Sequence, residues 1–149
     1  MRINLYCIAK KQEEETIIQD YQRMCLQFGV YLEIFYLFNQ KISAAQKLSS
    51  KEAQISYSKA FEPYLSQGKN IALHPNAKIY DSFEFSQLLD ASVINFFIGG
   101  AYGFEEAFLQ KTQNISLSKL TFSHQIAKIV LVEQVYRGLS ILNHHPYHK

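Results

Sequence analysis

The sequence predicts an α/β protein in which one parallel sheet carries helices on both faces. Five strand-length apolar segments alternate along the chain with segments of helical periodicity. The strand segments are apolar at nearly every position, as in strands that are buried on both faces. With 149 residues, of which 48% are hydrophobic, the chain is long enough for one domain with a substantial core. We therefore assign residues 1–149 to a single domain.

The first half of the chain supplies two strands and two helical regions. Arg2–Ala9, the first strand, is apolar at nearly every position after its arginine. A helix opens at the acidic run Glu13–Glu15, where the helix dipole favours carboxylates, and Gly29 is a natural stop for it. Val30–Phe38 is the second strand, and Ala44–Leu65 is a weaker helical region with a partial apolar stripe.

The second half continues the alternation. A short strand at Ile71–Leu73 leads into a turn at residues 74–76. Ser82 is placed to cap a helix that extends to Ala91. In chain order, the remaining predictions are a strand at Val93–Ile98, a helix at Phe104–Gln110, a strand at Ile115–Leu117 and a helix at Gln125–Leu142.

Three loops are candidates for a ligand site, because parallel sheets bind ligands beyond the carboxyl ends of their strands. They are His74–Lys78, Gly99–Phe104 and Ser118–Ser123. Glycines in the second loop let the backbone approach a ligand, although a generic tight turn explains them equally well. The pattern is neither a dinucleotide fingerprint nor a P-loop.

Four hydroxyl residues surround the third loop, and His124 follows it. Thr121 or Ser123 is expected to cap the last helix, which leaves the hydroxyls of Ser116 and Ser118 for a ligand or for neighbouring loops. His124 stands at the start of that helix, where the dipole disfavours a cation. A structural hydrogen bond is its expected role.

The last helix is apolar around most of its circumference, so one of its sides is expected to form a subunit interface. Residues 110–149 hold five Lys/Arg against one acidic residue, whereas residues 1–109 hold ten against twelve. Such a basic end suits an anionic partner or a solvated terminus. Arg137 either pairs with Glu133 at i,i+4 or holds an RNA phosphate.

Several classes of protein are disfavoured by composition. Cys7 and Cys25 belong to no CxxC pair and are expected to be buried thiols in a reducing cytoplasm, so neither a disulfide framework nor a metal site is predicted. The N-terminus turns polar too soon for a signal peptide. No apolar run approaches the roughly 20 residues of a membrane span.

Four motifs carry a resemblance to a known family: IGGAYGF, SLSKLTFSH, VLVEQVYR and the terminal HPYHK. In order and spacing they resemble the ribosomal RNA large subunit methyltransferase H family of the SPOUT superfamily, over essentially the whole chain. The resemblance implies a C-terminal trefoil knot, a homodimer and a cytoplasmic location. It also implies that S-adenosylmethionine methylates N3 of a pseudouridine in the helix 69 loop of 23S rRNA on the assembled ribosome, leaving S-adenosylhomocysteine.

The resemblance also implies site residues. Arg137, Tyr147 and His148 match positions tied to activity and RNA contact, with the tail of one subunit approaching the cofactor of the other. His148 is the expected proton acceptor, because imidazole titrates near neutrality, and Arg137 is expected to stabilise the uracil anion or to hold a phosphate. No metal and no membrane is implied. The implied cofactor residues are Leu73, Gly99, Leu117, Ser118, Lys119, Leu120, Thr121 and Phe122.

Three positions depart from the family pattern. His74 stands where an acidic residue is common, Ser123 replaces a common proline, and Gly138 replaces a common alanine. The glycine is expected to cost the last helix about 1 kcal/mol at most.

Two other functions remain open on the sequence. A non-catalytic ribosome-binding protein could use the basic tail alone, and it would not bind S-adenosylmethionine. A flavodoxin-like nucleotide binder would need a glycine-rich phosphate loop after the first strand, where this chain has residues 9–12, AKKQ.

Overall fold

The computed structural model describes all residues, Met1–Lys149. Five strands form one sheet in the order β2-β1-β4-β3-β5, and every neighbouring pair is parallel. The predicted parallel α/β sheet is therefore confirmed, and the carboxyl ends of all five strands lie along one edge. The strands are β1 (Arg2–Cys7), β2 (Tyr31–Tyr36), β3 (Lys69–Ile79), β4 (Val93–Ile98) and β5 (Gln113–Ser116).

Five α-helices lie in the connections between the strands, and a sixth follows the last strand. The predicted helical region Ala44–Leu65 consists of two helices, because the Ser49 side chain accepts a hydrogen bond from the backbone N–H of Glu52 and caps the second one. Gly29 ends the first helical segment in the left-handed conformation, as predicted. The helices are α1 (Thr16–Cys25), α2 (Gln40–Leu48), α3 (Ser50–Phe61), α4 (Ser82–Ser86), α5 (Glu106–Leu109) and α6 (His124–Leu142).

The sheet separates two hydrophobic cores, which confirms that helices cover both faces. Successive side chains of a strand point to opposite faces. Ile94 and Phe96 of the central strand β4 therefore join the core under α1, α4 and α6, whereas Phe97 joins the core under α2, α3 and α5. The helices α1 and α6 therefore lie on the same face of the sheet, where they contact each other.

The predicted helix from Ser82 to Ala91 is wrong at both ends. Asp81 is the cap: its carboxylate accepts the N–H of Glu84 at 2.7 Å, and the Glu84 carboxylate accepts the N–H of Asp81 at 3.0 Å. This reciprocal pair is a capping box. The helix ends at Ser86, because the N–H groups of Leu88 and Leu89 bond three residues back instead of four.

The third strand is longer than its sequence indicates. Leu73 and Lys78 both pair with Ile115 of β5, so residues 74–77 arch out of the ladder and the strand resumes after them. The turn predicted at residues 74–76 is this bulge. It carries His74 away from the sheet, towards the carboxyl edge.

Gly138 has a packing role that the sequence does not reveal. A Cβ atom at this position would lie 2.9 Å from Leu89 Cδ1 and 3.3 Å from Ser86 Cα, so the missing side chain lets α6 approach α4 closely. The loss of helix propensity at a glycine is therefore offset by helix packing.

The end of α6 sets the direction of the C-terminal tail. The N–H of His145 bonds to the carbonyl of Ser140 and that of His144 to Ile141, which is the Schellman arrangement. His144 occupies the left-handed position with φ +52°, where glycine is usual. The turn folds residues 145–149 back along the chain's own helices.

Both cysteines are buried and free. Burial raises the pKa of the Cys7 thiol and that of the Cys25 thiol to about 12, so both are neutral at physiological pH. No helix combines the length and the apolar character needed to cross a membrane. His, Cys, Asp and Glu side chains nowhere form a group of three that could hold a metal ion.

Candidate active site

A cavity of about 240 Å³ opens at the carboxyl edge of β3, β4 and β5, and we call it the cofactor pocket after the ligand that the family resemblance implies. The three loops singled out in the sequence all contribute to it, together with the start of α6. They meet here because their strands are neighbours in the sheet. The residues that line the pocket are Leu73, His74, Pro75, Ile98, Gly99, Gly100, Ala101, Gly103, Phe104, Ser116, Leu117, Ser118, Leu120, Thr121, Phe122, His124 and Ala127.

Seven of the eight cofactor residues implied by the family resemblance line this pocket. Leu73 comes from β3, Gly99 follows β4, and the others belong to the loop between β5 and α6. Lys119 lies in the same loop but is not among the lining residues, and it is exposed. The structure thus brings together residues that are up to 49 positions apart between Leu73 and Phe122.

The glycine loop is held in place by α3. A Cβ atom at Gly100 would lie 2.3 Å from Cζ of the fully buried Tyr57, so only glycine fits there. Beside this contact, Gln54 Nε2 donates to the carbonyl of Tyr102 at 2.8 Å, and Ser58 Oγ donates to Glu105 at 2.8 Å. Gly100, Tyr102 and Glu105 are therefore all held by contacts with α3.

Gly100→Ala is expected to destabilise the fold by about 1–3 kcal/mol, because the added methyl group overpacks the contact with Tyr57. Gly99→Ala is the matched control. Its Cβ would lie 3.3 Å from Gly103 C and from the Phe104 ring, which a small shift can relieve. Chemical denaturation of both variants checks this. Equal stabilities for the two variants would contradict the role assigned to Tyr57.

Three of the four hydroxyl residues near the pocket make hydrogen bonds within the chain. Ser116 Oγ donates to the carbonyl of Ser118, whose own Oγ accepts the N–H of Leu120. Ser123 Oγ accepts the N–H of Ile126, which confirms it as the cap of α6. The Thr121 hydroxyl makes no such bond and lines the pocket, so it is the one available to a ligand.

The pocket contains no residue with a permanent charge: Lys, Arg, Asp and Glu are absent from its lining. Desolvation lowers the pKa of His124, which favours its neutral ring, although the residue as a whole stays exposed. His124 makes no side-chain hydrogen bond, and the structural bond expected of it is not observed. The pocket therefore suits a ligand with large apolar parts and does not repel a cation.

The tail forms a second group of polar side chains on α6, and we call it the tail cluster: Tyr21, Glu133, Arg137, Tyr147 and His148. Glu133 Oε1 accepts from Arg137 Nη2 at 2.6 Å and Nε at 2.9 Å, which confirms the pair predicted at i,i+4. The same oxygen accepts from the Tyr147 hydroxyl at 3.0 Å. The Arg137 guanidinium also lies over the Tyr147 ring, 4.8 Å from its centroid.

Tyr147 is held as a neutral phenol. Burial, together with hydrogen bonds to Tyr21 and Glu133, raises its pKa well above the ordinary tyrosine value. Its hydroxyl lies 3.0 Å from that of Tyr21 and 3.0 Å from Glu133 Oε1. Tyr147 therefore acts as a hydrogen-bond donor and not as a base at neutral pH.

His148 is fixed between Arg137 and an aromatic ring. Arg137 Nη1 lies 3.3 Å from His148 Nδ1, and the Phe83 ring meets the imidazole edge-on at 4.8 Å. A guanidinium can only donate, so Nδ1 accepts this bond and the ring proton of neutral His148 is on Nε2. In this arrangement neither ring nitrogen has a free lone pair.

Within one chain, the tail cluster and the cofactor pocket lie apart. No residue of the tail cluster lines the cofactor pocket. Ala127, which does, and Arg137 are ten residues apart on α6, so the helix separates them by about 15 Å. Arg137, Tyr147 and His148 thus face a different part of the surface from the pocket of their own chain.

Sequence reasoning missed the residues that support the site. No functional residue was predicted in the Ala44–Leu65 region, yet its Tyr57, Gln54 and Ser58 position the glycine loop. No pattern in the local sequence predicts contacts between residues so far apart in the chain. Lys128 was also overlooked; the available signal was a lysine in the middle of an otherwise apolar helix.

Comparison with known proteins agrees with this architecture. The sequence model of the family described as "Predicted SPOUT methyltransferase" matches residues 1–148. Proteins called "Ribosomal RNA large subunit methyltransferase H" are 56% identical in Helicobacter acinonychis (strain Sheeba), 56% in Helicobacter pylori (strain ATCC 700392 / 26695) and 47% in Helicobacter hepaticus (strain ATCC 51449 / 3B1). Each alignment covers 100% of both chains. The chain therefore belongs to the ribosomal RNA large subunit methyltransferase H family of SPOUT methyltransferases.

Proposed function

We propose that this protein is an S-adenosylmethionine-dependent methyltransferase of large-subunit ribosomal RNA in the cytoplasm. The proposed target is N3 of a pseudouridine in the helix 69 loop of 23S rRNA, on the assembled ribosome. The observation that carries the proposal is the cofactor pocket, in which seven residues implied by the family resemblance converge from β3 and two loops. The names of its relatives agree with an RNA substrate.

The pocket fits the proposed methyl donor. Leu73, Leu117 and Leu120 offer apolar surface to an adenine ring, while the Thr121 hydroxyl is free to bond a polar group. The absence of Lys and Arg from the lining avoids repulsion of a sulfonium. Gly99 leaves room for the chain to approach the ligand closely. When bound, S-adenosylmethionine supplies an electrophilic methyl group and becomes the neutral thioether S-adenosylhomocysteine.

The tail cluster supplies the groups that would act on the uracil. The N3 proton must leave first, and the Arg137 guanidinium would stabilise the uracil anion that this produces. N3 would then bond to the methyl carbon as the carbon–sulfur bond breaks. His148 can accept the proton at Nδ1 only after its bond with Arg137 is released. Tyr147 and Glu133 orient the guanidinium.

A homodimer would unite the pocket of one chain with the tail of the other. The separation of the two groups within one chain supports this arrangement. The side of α6 that α1 and α4 leave partly uncovered carries Ile126, Val130, Arg137 and Ile141. An apolar stripe that contains a functional arginine suits a subunit interface that completes a site. The trefoil knot implied by the resemblance stays a prediction.

Mass spectrometry of 23S rRNA tests the proposal. Ribosomes from a strain that lacks the gene are incubated with the protein and S-adenosylmethionine, and the helix 69 fragment is expected to gain one methyl group at N3 of a pseudouridine. Free 23S rRNA is expected to be a poor substrate, because so small a chain needs the folded ribosomal surface for specificity. Ribosomes that remain unmethylated after incubation would contradict the proposed activity. Efficient turnover of free RNA would contradict the requirement for the assembled ribosome.

Calorimetry separates this function from that of a non-catalytic ribosome-binding protein. The enzyme is expected to bind S-adenosylmethionine, and Leu117→Lys is expected to abolish that binding, because it places a positive charge in an apolar pocket that would hold a sulfonium. A protein that binds ribosomes but shows no heat of binding with S-adenosylmethionine would favour the alternative.

A further inference from the structure

A second opening, the basic cleft, lies on the same edge of the sheet as the cofactor pocket. It has a volume of about 480 Å³. We infer that this cleft binds the phosphate backbone of the RNA substrate beside the point of methyl transfer; the inference rests on the proposed function. The residues that line the cleft are Lys10, Lys11, Tyr36, Phe38, Asn39, Gln40 and Ser43.

The lysines of the cleft are free to meet phosphates. Lys10, Lys11 and the adjacent Lys41 are exposed, and none of the three forms a salt bridge. Two of the three neighbouring glutamates are directed elsewhere: Glu14 binds Lys128, and Glu15 accepts a hydrogen bond from Gln125. Lys128 neutralises only Glu14, so three cations face Glu13 and Glu15, which leaves the cleft positive and favours a polyanion.

The first turn of α2 strengthens this field. Asn39 caps the helix by accepting the N–H of Ile42 at 2.9 Å, and Gln40 and Ser43 line the cleft. The positive end of the helix dipole therefore points into the same opening as the lysines. The half-buried Phe38 ring lies below Lys10 Nζ, 5.5 Å from its centroid, and adds an aromatic surface of the kind on which bases stack.

The cleft lies close to the cofactor pocket. Tyr36 lines the cleft and Ile98 lines the pocket, and both are in register with Cys7 on the strand between them. Two strand spacings separate them, which is roughly 10 Å. Neighbouring nucleotides of one RNA loop can span this distance, so a phosphate in the cleft would hold the loop next to the methyl donor.

A buried ion pair fixes the loop that carries Lys10 and Lys11. Lys128 Nζ lies 3.3 Å from Glu14 Oε2 and 2.5 Å from the Tyr36 hydroxyl, and its side chain is only 4% exposed. Lys128 follows Ala127, which lines the cofactor pocket. Lys128 thus connects the loop of the basic cleft to α6, which also lines the cofactor pocket. The loop is already held in place, so RNA binding need not order it.

The test compares two variants with the same change in charge. Lys10→Ala/Lys11→Ala removes two positive charges from the cleft, and Arg2→Glu removes the same amount from the opposite edge of the sheet, where Arg2 is exposed and unpaired. Methylation of unmodified large ribosomal subunits is measured over a range of salt. The double variant is expected to raise KM for the subunits roughly five- to tenfold, with kcat and affinity for S-adenosylmethionine unchanged.

The salt dependence identifies phosphate as the ligand. The slope of log affinity against log salt is expected to fall by about two in the double variant and to stay unchanged in Arg2→Glu. Equal KM values in the two variants would overturn the inference. So would a raised KM with an unchanged salt slope, which points to a ribosomal protein or to base contacts. Subunits left unmethylated by the wild-type protein would instead overturn the proposed function, and the inference with it.

Discussion

Arg137→Ala is expected to lower kcat/KM for RNA methylation at least about 100-fold and to leave the affinity for S-adenosylmethionine within about twofold. Loss of a charged donor aimed at developing negative charge typically costs this much. The affinity is spared because Arg137 does not line the cofactor pocket of its own chain and is proposed to act on the uracil, not on S-adenosylmethionine. Turnover of unmodified ribosomes and calorimetry with S-adenosylmethionine measure the two effects. Arg23→Ala, on an arginine whose side chain is 74% exposed on α1, is the control and should resemble the wild type.

Mixed dimers decide whether the site is shared between chains. Arg137→Ala and Gly99→Val protomers are each expected to be inactive alone, because one lacks the guanidinium and the other fills the pocket. After random exchange of subunits, half of the dimers are mixed, and each holds one intact pairing of pocket and tail. The mixture should therefore regain about a quarter of the wild-type activity. No recovery after demonstrated exchange would show that each chain uses its own tail.

Lys128→Met is expected to destabilise the protein by about 3 kcal/mol. The substitution keeps most of the side-chain volume but leaves Glu14, 18% exposed, without its cation. Removing one partner of a buried ion pair is costly because the other charge stays desolvated. The stability loss is measured by denaturant titration. It should be accompanied by release of the loop at residues 8–15, seen as faster amide exchange.

Lys111→Met provides a control with the same chemistry on the surface. Lys111 lies 3.2 Å from Glu62, close to the 3.3 Å of the buried pair, but both side chains are more than half exposed. Such pairs contribute about 0–1 kcal/mol. Glu14→Gln in the Lys128→Met background should recover part of the stability, because it removes the unpaired charge. Equal losses at Lys111 and Lys128 would refute the importance of burial.

Local features of the fold could be predicted from the sequence because they depend on near neighbours. The buried strand Val93–Ile98 agrees with its prediction, and Gly29 and Ser123 stop and cap helices as their chemistry suggests. The cap of α4 was predicted at Ser82, but it is Asp81. Asp81 and Ser82 are both good caps, and only the reciprocal bond from Glu84 selects Asp81.

The candidate site also has features that the sequence predicts and features that it does not. The loops Gly99–Phe104 and Ser118–Ser123 were predicted because glycines and hydroxyls are concentrated there, and they line one pocket. The support of that pocket could not be predicted. Tyr57 contacts Gly100 from 43 positions away, and Lys128 binds Glu14 across 114, because the order of strands brings their helices and loops together.

The sequence by itself determined the α/β class, the carboxyl edge as the place of the candidate site, and the residue types available there. These follow from hydrophobic periodicity and from the position of loops relative to parallel strands. Tertiary structure alone decided that Arg137 and Tyr147 bind Glu133 and that His148 contacts Arg137, away from their own pocket. The reason is physical: the Schellman turn at His144 reverses the tail onto its own helix, and a helix of 19 residues keeps the two groups apart.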